Sequence, residues 1–339
     1  MKRFKGYLGV LVFVLVLLSL PYWLIPSQFA LRVAILTAIF AGAGVCWNLI
    51  GGVGGQLSFG HSVYFGIGAY TSGLLYIHAH LTPIIGIPIG ALIAAVAGAI
   101  TTFPALRLRG VYFSLTTFVM ALLFQDLAAH FRGLTGGDSG LSVPWTKEKP
   151  VDLLFADPLN YYFLAVVLLG LVMVAFQVVV RSKLGVFLRA VRDDEDAARA
   201  AGVDVPRVKL LGLLLSAIGC GLFGGLFFQL NQFIDPPSAF GLSTATSIGL
   251  VALAGGVGVT WGPVFGAVVL IPTQQYLSAQ LSSAPAGLSQ MVYGVVVVVI
   301  IVIDRRGLWF VALSVVRALR RLRGHTATSE LAGAGSVAP

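Results

Sequence analysis

The stretch "YYFLAVVLLGLVMVAFQVVV" (161–180) constrains this chain more than any motif in it. About twenty uncharged residues in an α-helix reach roughly 30 Å, the hydrocarbon thickness of a bilayer. The run is apolar on every face. It therefore fits neither an amphipathic surface helix nor a membrane β-strand, which alternates apolar and polar residues over about ten positions. Similar runs recur, and hydropathy predicts spans near 7–25, 33–50, 63–77, 84–103, 111–129, 161–180, 210–230, 245–258, 262–277 and 287–303. Those at 63–77, 245–258 and 262–277 are short or interrupted, so the expected number is eight to ten. The fold class is an all-α polytopic integral membrane protein. Composition agrees: 10% of residues are charged, against about 25% in soluble domains.

Charge sets the orientation. With the N-terminus in the cytoplasm and spans alternating, eighteen of the 22 basic residues fall on cytoplasmic segments and four, Arg32, Arg132, Lys147 and Lys149, fall outside. That asymmetry is what the positive-inside rule expects. It accounts for the net charge of +9 without nucleic acid as a partner. Both termini are then cytoplasmic, and the lipid bilayer is the surrounding solvent. Residues 1–324 form one transmembrane domain with a cytoplasmic loop at 181–209 and a large outside loop at about 130–160. The small, polar residues 325–339 form a tail expected to be disordered. The basic, apolar start resembles a signal peptide, but its long apolar run without a nearby Ala-x-Ala site reads as an uncleaved first helix. Cys46 and Cys220 lie inside apolar segments and read as packing residues, with no metal site implied.

Two glycine-rich breaks interrupt the spans. "GGVGGQLSFGHS" (51–62) carries Gly51, Gly52, Gly54, Gly55 and Gly60, and "GGVGVTWGPVFGA" (255–267) carries Gly255, Gly256, Gly258, Gly262 and Gly266. At membrane depth, broken backbone survives where it is buried in protein or lines a cavity, and transporters build substrate sites from such breaks. Glycines also let helices pack closely, as the GxxxG spacings Gly258/Gly262/Gly266, Gly221/Gly225 and Gly86/Gly90 suggest. For the second break the two readings stand level. For the first, polar Gln56, Ser58 and His61, with Tyr64 one turn on, favour a substrate pathway.

No Walker A loop GxxxxGK[ST] and no HExxH occurs, so ATP and zinc chemistry through those motifs are excluded, and neither glycine loop completes a dinucleotide fingerprint. "GDSG" (137–140) matches a serine-protease motif, but it lies in a glycine-rich polar loop and reads as an ordered turn. No catalytic residue is assigned.

Five of the thirteen acidic residues gather in "RAVRDDEDAARAAGVDV" (189–205). Residues 186–203 read as one helix, with Gly202 as its C-cap and Pro206 just beyond. Ala197, Ala198 and Ala201 make an apolar strip at helical spacing, rimmed by Arg192, Asp193, Asp194, Glu195 and Asp196. Such a helix either docks in a partner's groove or lies solvated and held by Arg–Asp pairs. The residues alone favour neither.

"DAARAAG" resembles the EAA motif of bacterial ABC-importer permeases, with Asp196 in place of Glu. The stretches 48–75, 106–127, 134–144, 181–227 and 247–267 are together similar to branched-chain amino acid permeases, and "GVYF" and "TGGDSGL" resemble the longer of the two paralogous types. The resemblance implies a permease subunit of the bacterial inner membrane. It would pair with a homologous second permease, two cytoplasmic ABC ATPases that bind the ATP, and a soluble substrate-binding protein. It makes Arg192–Asp196, Ala197, Ala198 and Gly202 the expected ATPase-coupling residues. It implies no cofactor on this chain. Branched-chain amino acids are the expected solute, with urea, short-chain amides or other small amino acids as alternatives. An ion-coupled secondary transporter is a weaker reading, since the spans offer mainly Asp126 as an intramembrane carboxylate. Asp304, before "RRGL", departs from the family pattern.

Overall fold

The computed structural model describes residues 2–24, 27–143, 152–285, 287–303, 307–310 and 314. The expected tail at 325–339, Asp304 and residues 144–151 of the expected outside loop lie outside the described residues. The helices used below are α1 (Lys2–Ser19), α2 (Gln28–Asn48), α3 (His61–Ala79), α4 (Pro83–Thr102), α5 (Val111–His130), α6 (Pro158–Arg181), α7 (Lys183–Asp193), α8 (Glu195–Ala200), α9 (Val205–Asn231), α10 (Leu242–Gly255), α11 (Gly262–Gln280) and α12 (Leu288–Ile303). Each of the ten hydropathy spans coincides with a helix. Among the described residues, six helical segments are long and apolar enough to cross a membrane, and α1 and α12 hold shorter apolar helices.

The acidic residues explain many helix starts. Asp157, Asp194, Asp204 and Asp235 are all N-caps whose carboxylates accept backbone N–H groups of the following turn. A carboxylate there satisfies otherwise orphaned donors and faces the positive end of the helix dipole. Pro158 and Pro206 follow their caps in the first turn, where a missing N–H costs nothing.

The bundle has a centre and a periphery. In the α2 segment Gln28–Val53, 72% of the apolar window is buried, against 28% in α5. α2, α3, α9 and α10 therefore form the core, and α5 lies at the edge. Close packing rests on small residues. A Cβ on Gly68 of α3 would strike the Gly221 backbone of α9, and one on Gly90 of α4 would approach the Gly68 carbonyl at 2.8 Å. These contacts support the close-packing reading of the α4 and α9 glycines. In the loop after α5, Leu141–Ser142 pairs antiparallel with Phe233–Ile234. The "GDSG" stretch is a tight turn over Gly137–Ser139, as expected.

One expectation is corrected. The helix expected over 186–203 is two helices, α7 and α8, divided at Asp194, whose backbone is extended (φ −157°, ψ 112°). The acid that interrupts the helix also caps its continuation.

Candidate functional site

The first break is helical for longer than its glycines suggest. α2 runs on as a π-helix over Leu49–Val53, and the Gly54 N–H donates to the Leu49 carbonyl at 3.0 Å. π-turns inside α-helices are rare and recur at functional sites. The chain then leaves without regular structure, through Gly55 at a φ of 70°, and restarts as a helix at His61. The second break has no such prolongation. α10 stops at Gly255, Gly256 and Gly258 take positive φ of 128° and 77°, and α11 begins at Gly262.

Asn48 joins the two. Its side-chain oxygen accepts the Gly258 N–H at 2.8 Å, and its amide donates to the Val259 carbonyl at 2.8 Å. A fully buried amide thus satisfies the backbone that the second break leaves unpaired. A Cβ on Gly52 would collide with that same Asn48 side chain.

The four pathway candidates are distributed unequally. His61 is fully buried and hydrogen-bonded on both sides: Nε2 is 2.7 Å from Ser216 Oγ, and Nδ1 is 3.2 Å from Ser58 Oγ. Ser216 directs its proton to the Cys46 carbonyl at 2.6 Å, so His61 donates through Nε2. The Ser58 carbonyl accepts from Trp47 Nε1 at 2.6 Å, and Tyr64 OH is 2.9 Å from Thr102 Oγ1. Ser58, His61 and Tyr64 thus lie inside this subunit and brace α2, α3, α4 and α9. Gln56 is only half-buried, and among the described residues its side-chain oxygen has no partner.

The charged element α7–α8 is held by ion pairs. Arg109, from the loop before α5, grips Asp196 with two bonds of 2.7 and 2.9 Å and approaches Glu195 at 3.5 Å. The Arg109 guanidinium holds the Asp196 carboxyl below its ordinary value. Lys209, 3% exposed, meets Glu195 at 2.8 Å, and Arg199 pairs with both acids. Asp194 caps α8 by accepting from the N–H groups of Asp196 and Ala197. Three of the four consecutive acids are therefore tied to other parts of the chain or cap α8, and among the described residues Asp193 pairs with its neighbour Arg192 alone. Ala198 is buried, while Ala197 and Ala201 are exposed, so the expected alanine strip is split between core and surface. The end of α8 is a Schellman motif: Gly202 has φ 86°, its N–H donates to Arg199, and the Val203 N–H donates to Ala198.

Arg192 connects this element to the breaks. Its guanidinium donates to the Gly52 carbonyl at 3.4 Å, and its side-chain methylenes fill the place a Cβ on Gly55 would occupy. Asn48, Arg109 and Lys209 escaped the sequence reading. The one available signal was a lone amide at the end of a long apolar run, "VCWN"; the ion-pair partners are too distant in sequence to be matched.

Comparison with known proteins places this geometry. The family described as "Branched-chain amino acid transport system / permease component" matches residues 29–301. The high-affinity branched-chain amino acid transport system permease protein LivM of Escherichia coli K12 is 29% identical over 285 residues, covering 78% of this chain and 67% of the relative. A probable branched-chain amino acid transport permease protein LivH of Methanocaldococcus jannaschii is 23% identical, covering 73% of this chain and 79% of its own. A nucleoside ABC transporter permease protein, NupC of Lactococcus lactis, is also 23% identical, covering 69% and 77%. No solved structure matches the chain. A match that runs from α2 to α12 takes in both glycine breaks, the Asn48 clamp and the charged element α7–α8, and with it the chain belongs to the branched-chain amino acid transport permease family.

Proposed function

We propose that this chain is the multi-pass inner-membrane permease subunit of an ATP-driven importer of branched-chain amino acids, with α7–α8 as the element that receives force from separate ATPases. The observation that carries the reading is the continuous contact from that element to both breaks. Arg192 reaches Gly52, and Asn48 ties the first break to Gly258 and Val259. The ion pairs of Arg109 and Lys209 hold α8 against the bundle, so a displacement of α8 moves the helices it is pinned to. Small, cooperative rearrangements of packed elements are how such displacements travel. On this reading Asp193, Ala197, Ala201 and Gly202 face the ATPase. Glu195 and Asp196 act from within, as the attachment of the element to its own subunit. A soluble binding protein delivers the solute, and a homologous permease completes the pathway.

The test is reconstitution in proteoliposomes with the ATPases and binding protein of the same system. Leucine uptake that requires ATP and the ATPases is the expected result. Leucine uptake by this chain alone, driven by an ion gradient, would sink the importer reading in favour of a secondary transporter. Within the assembled importer, Arg192→Met is expected to lower uptake at least tenfold while ATPase subunits still co-purify. Unchanged uptake would remove Arg192 from the coupling path.

A further inference from the structure

Arg32 borders two cavities at the outer end of the bundle, of about 430 and 250 Å³. Arg32 lies one turn into α2, and its Nη2 donates to the neutral side-chain oxygen of Asn231 at 2.7 Å. Among the described residues, no carboxylate lies within ion-pair distance of it, and none lines either cavity. The charge is also placed against the trend, since basic residues in this chain gather on the cytoplasmic side. A guanidinium without an anion offers five donors in a planar fork, which matches a carboxylate through two parallel bonds.

The smaller cavity supplies the rest of a site. Ser243, Ser247, Gln274 and Gln275 contribute hydroxyl and amide oxygens, which accept from an ammonium group. Leu36, Phe40 and Phe227 give it an apolar wall. Phe65 packs against the two lining rings, Phe40 and Phe227, with the three ring centres 5.3 to 6.3 Å apart. The volume is just below the roughly 300–1,000 Å³ of drug-sized ligand sites, which suits a solute of few heavy atoms.

We propose that this cavity is an outer-side subsite for a small zwitterionic amino acid, its carboxylate on Arg32 and its apolar side chain against Leu36, Phe40 and Phe227. The proposal rests on the importer reading above and names where the solute first meets this subunit.

The test uses the purified complex with its ATPases, without binding protein, in a thermal melt titrated with L-leucine and with L-leucinamide, which lacks the carboxylate. Leucine is expected to raise the melting temperature and leucinamide is not. Arg32→Gln is expected to raise the half-saturating leucine concentration at least tenfold, with Arg32→Lys in between. Gln275→Leu, which leaves the charge in place, is expected to weaken leucine by a smaller factor with the ligand-free melt unchanged. ATP-driven leucine uptake should fall in the same order. A wild-type leucine response in Arg32→Gln would overturn the proposal. So would stabilisation by phosphatidylglycerol vesicles with no response to leucine, which would make Arg32 a lipid-headgroup anchor. A complex that imports leucine with Arg32→Gln at the wild-type rate defeats the subsite alone. A wild-type complex that imports no leucine defeats the importer reading itself.

Discussion

The tetrapeptide Gly-Gly-Val-Gly occurs at both breaks and folds in two ways. At 51–54 it lies in a widened helix with ordinary negative φ and leaves that helix at Gly54, whereas at 255–258 it is a turn with two positive φ values. The neighbours make the difference. At the first break the large side chains one turn earlier need the space: Cβ atoms on Gly51 and Gly52 would strike Trp47 and Asn48. At the second, backbone needs it: Cβ atoms on Gly255 and Gly266 would strike the carbonyls of Gly262 and Val251. Glycine serves side-chain packing in one place and helix-on-helix contact in the other. The two segments are therefore unlike in structure, despite their shared letters.

The comparison can be broken at its strongest point first. Gly255→Ala sets a methyl against backbone that cannot swing aside, and about 3 kcal/mol of destabilisation is expected, the upper end of overpacking costs. A melt of the purified variant checks it, and a neutral result would mean that the two helices can separate. Next is Asn48→Ala, which leaves the Gly258 N–H and Val259 carbonyl unpaired in the core. About 2 kcal/mol is expected, in the range for orphaned buried polar groups, together with slower uptake. Stability lost with uptake intact would show that the two breaks move independently. Gly54→Ala is expected to stay within about 1 kcal/mol of wild type. Its Cβ would approach the Ile50 carbonyl at 2.9 Å, but alanine's gain in helix propensity offsets part of that. A large loss there would mean that the π-helical turn tolerates side chains no better than the second break does.

The smallest effect concerns pH and separates the breaks from the loop. Asp196 has its carboxyl lowered by Arg109, so its contribution is complete above the ordinary value of 3.8 and is lost only as pH falls through the lower folded value. Hydrogen-exchange protection of α8 is therefore expected to be flat from about pH 8 to 5 as far as this pair is concerned. A loss of protection within that window would point to another titrating group.

The spans were legible because burial in lipid imposes one rule, length with apolarity, on every crossing helix. Helix starts were less so. Asp194 and Asp204 stood out as charge, yet both act as caps, a role set by the local backbone. The acid cluster, by its residues, suits a partner's groove or a solvated helix equally, and only the family resemblance points it at an ATPase. Within the structure Glu195 turns inward, where Lys209, fourteen residues on, returns to meet it. The clamp between the breaks joins residues 210 apart. Pairs at such separation follow from how helices assemble, and no local pattern announces them.

Lys209 has a further consequence in the order of events during biogenesis. Topology is decided as segments enter the bilayer, when cationic flanks hold their ends in the cytoplasm. At that moment Lys209 counts as one more positive charge at the start of α9. Once the bundle assembles, the same ammonium is withdrawn from water and bonded to Glu195 and toward the Leu106 carbonyl. One residue thus acts first as an address label for the nascent helix and later as an internal rivet. Lys209→Met would test both roles at once, and Lys209→Arg would keep the first while straining the second.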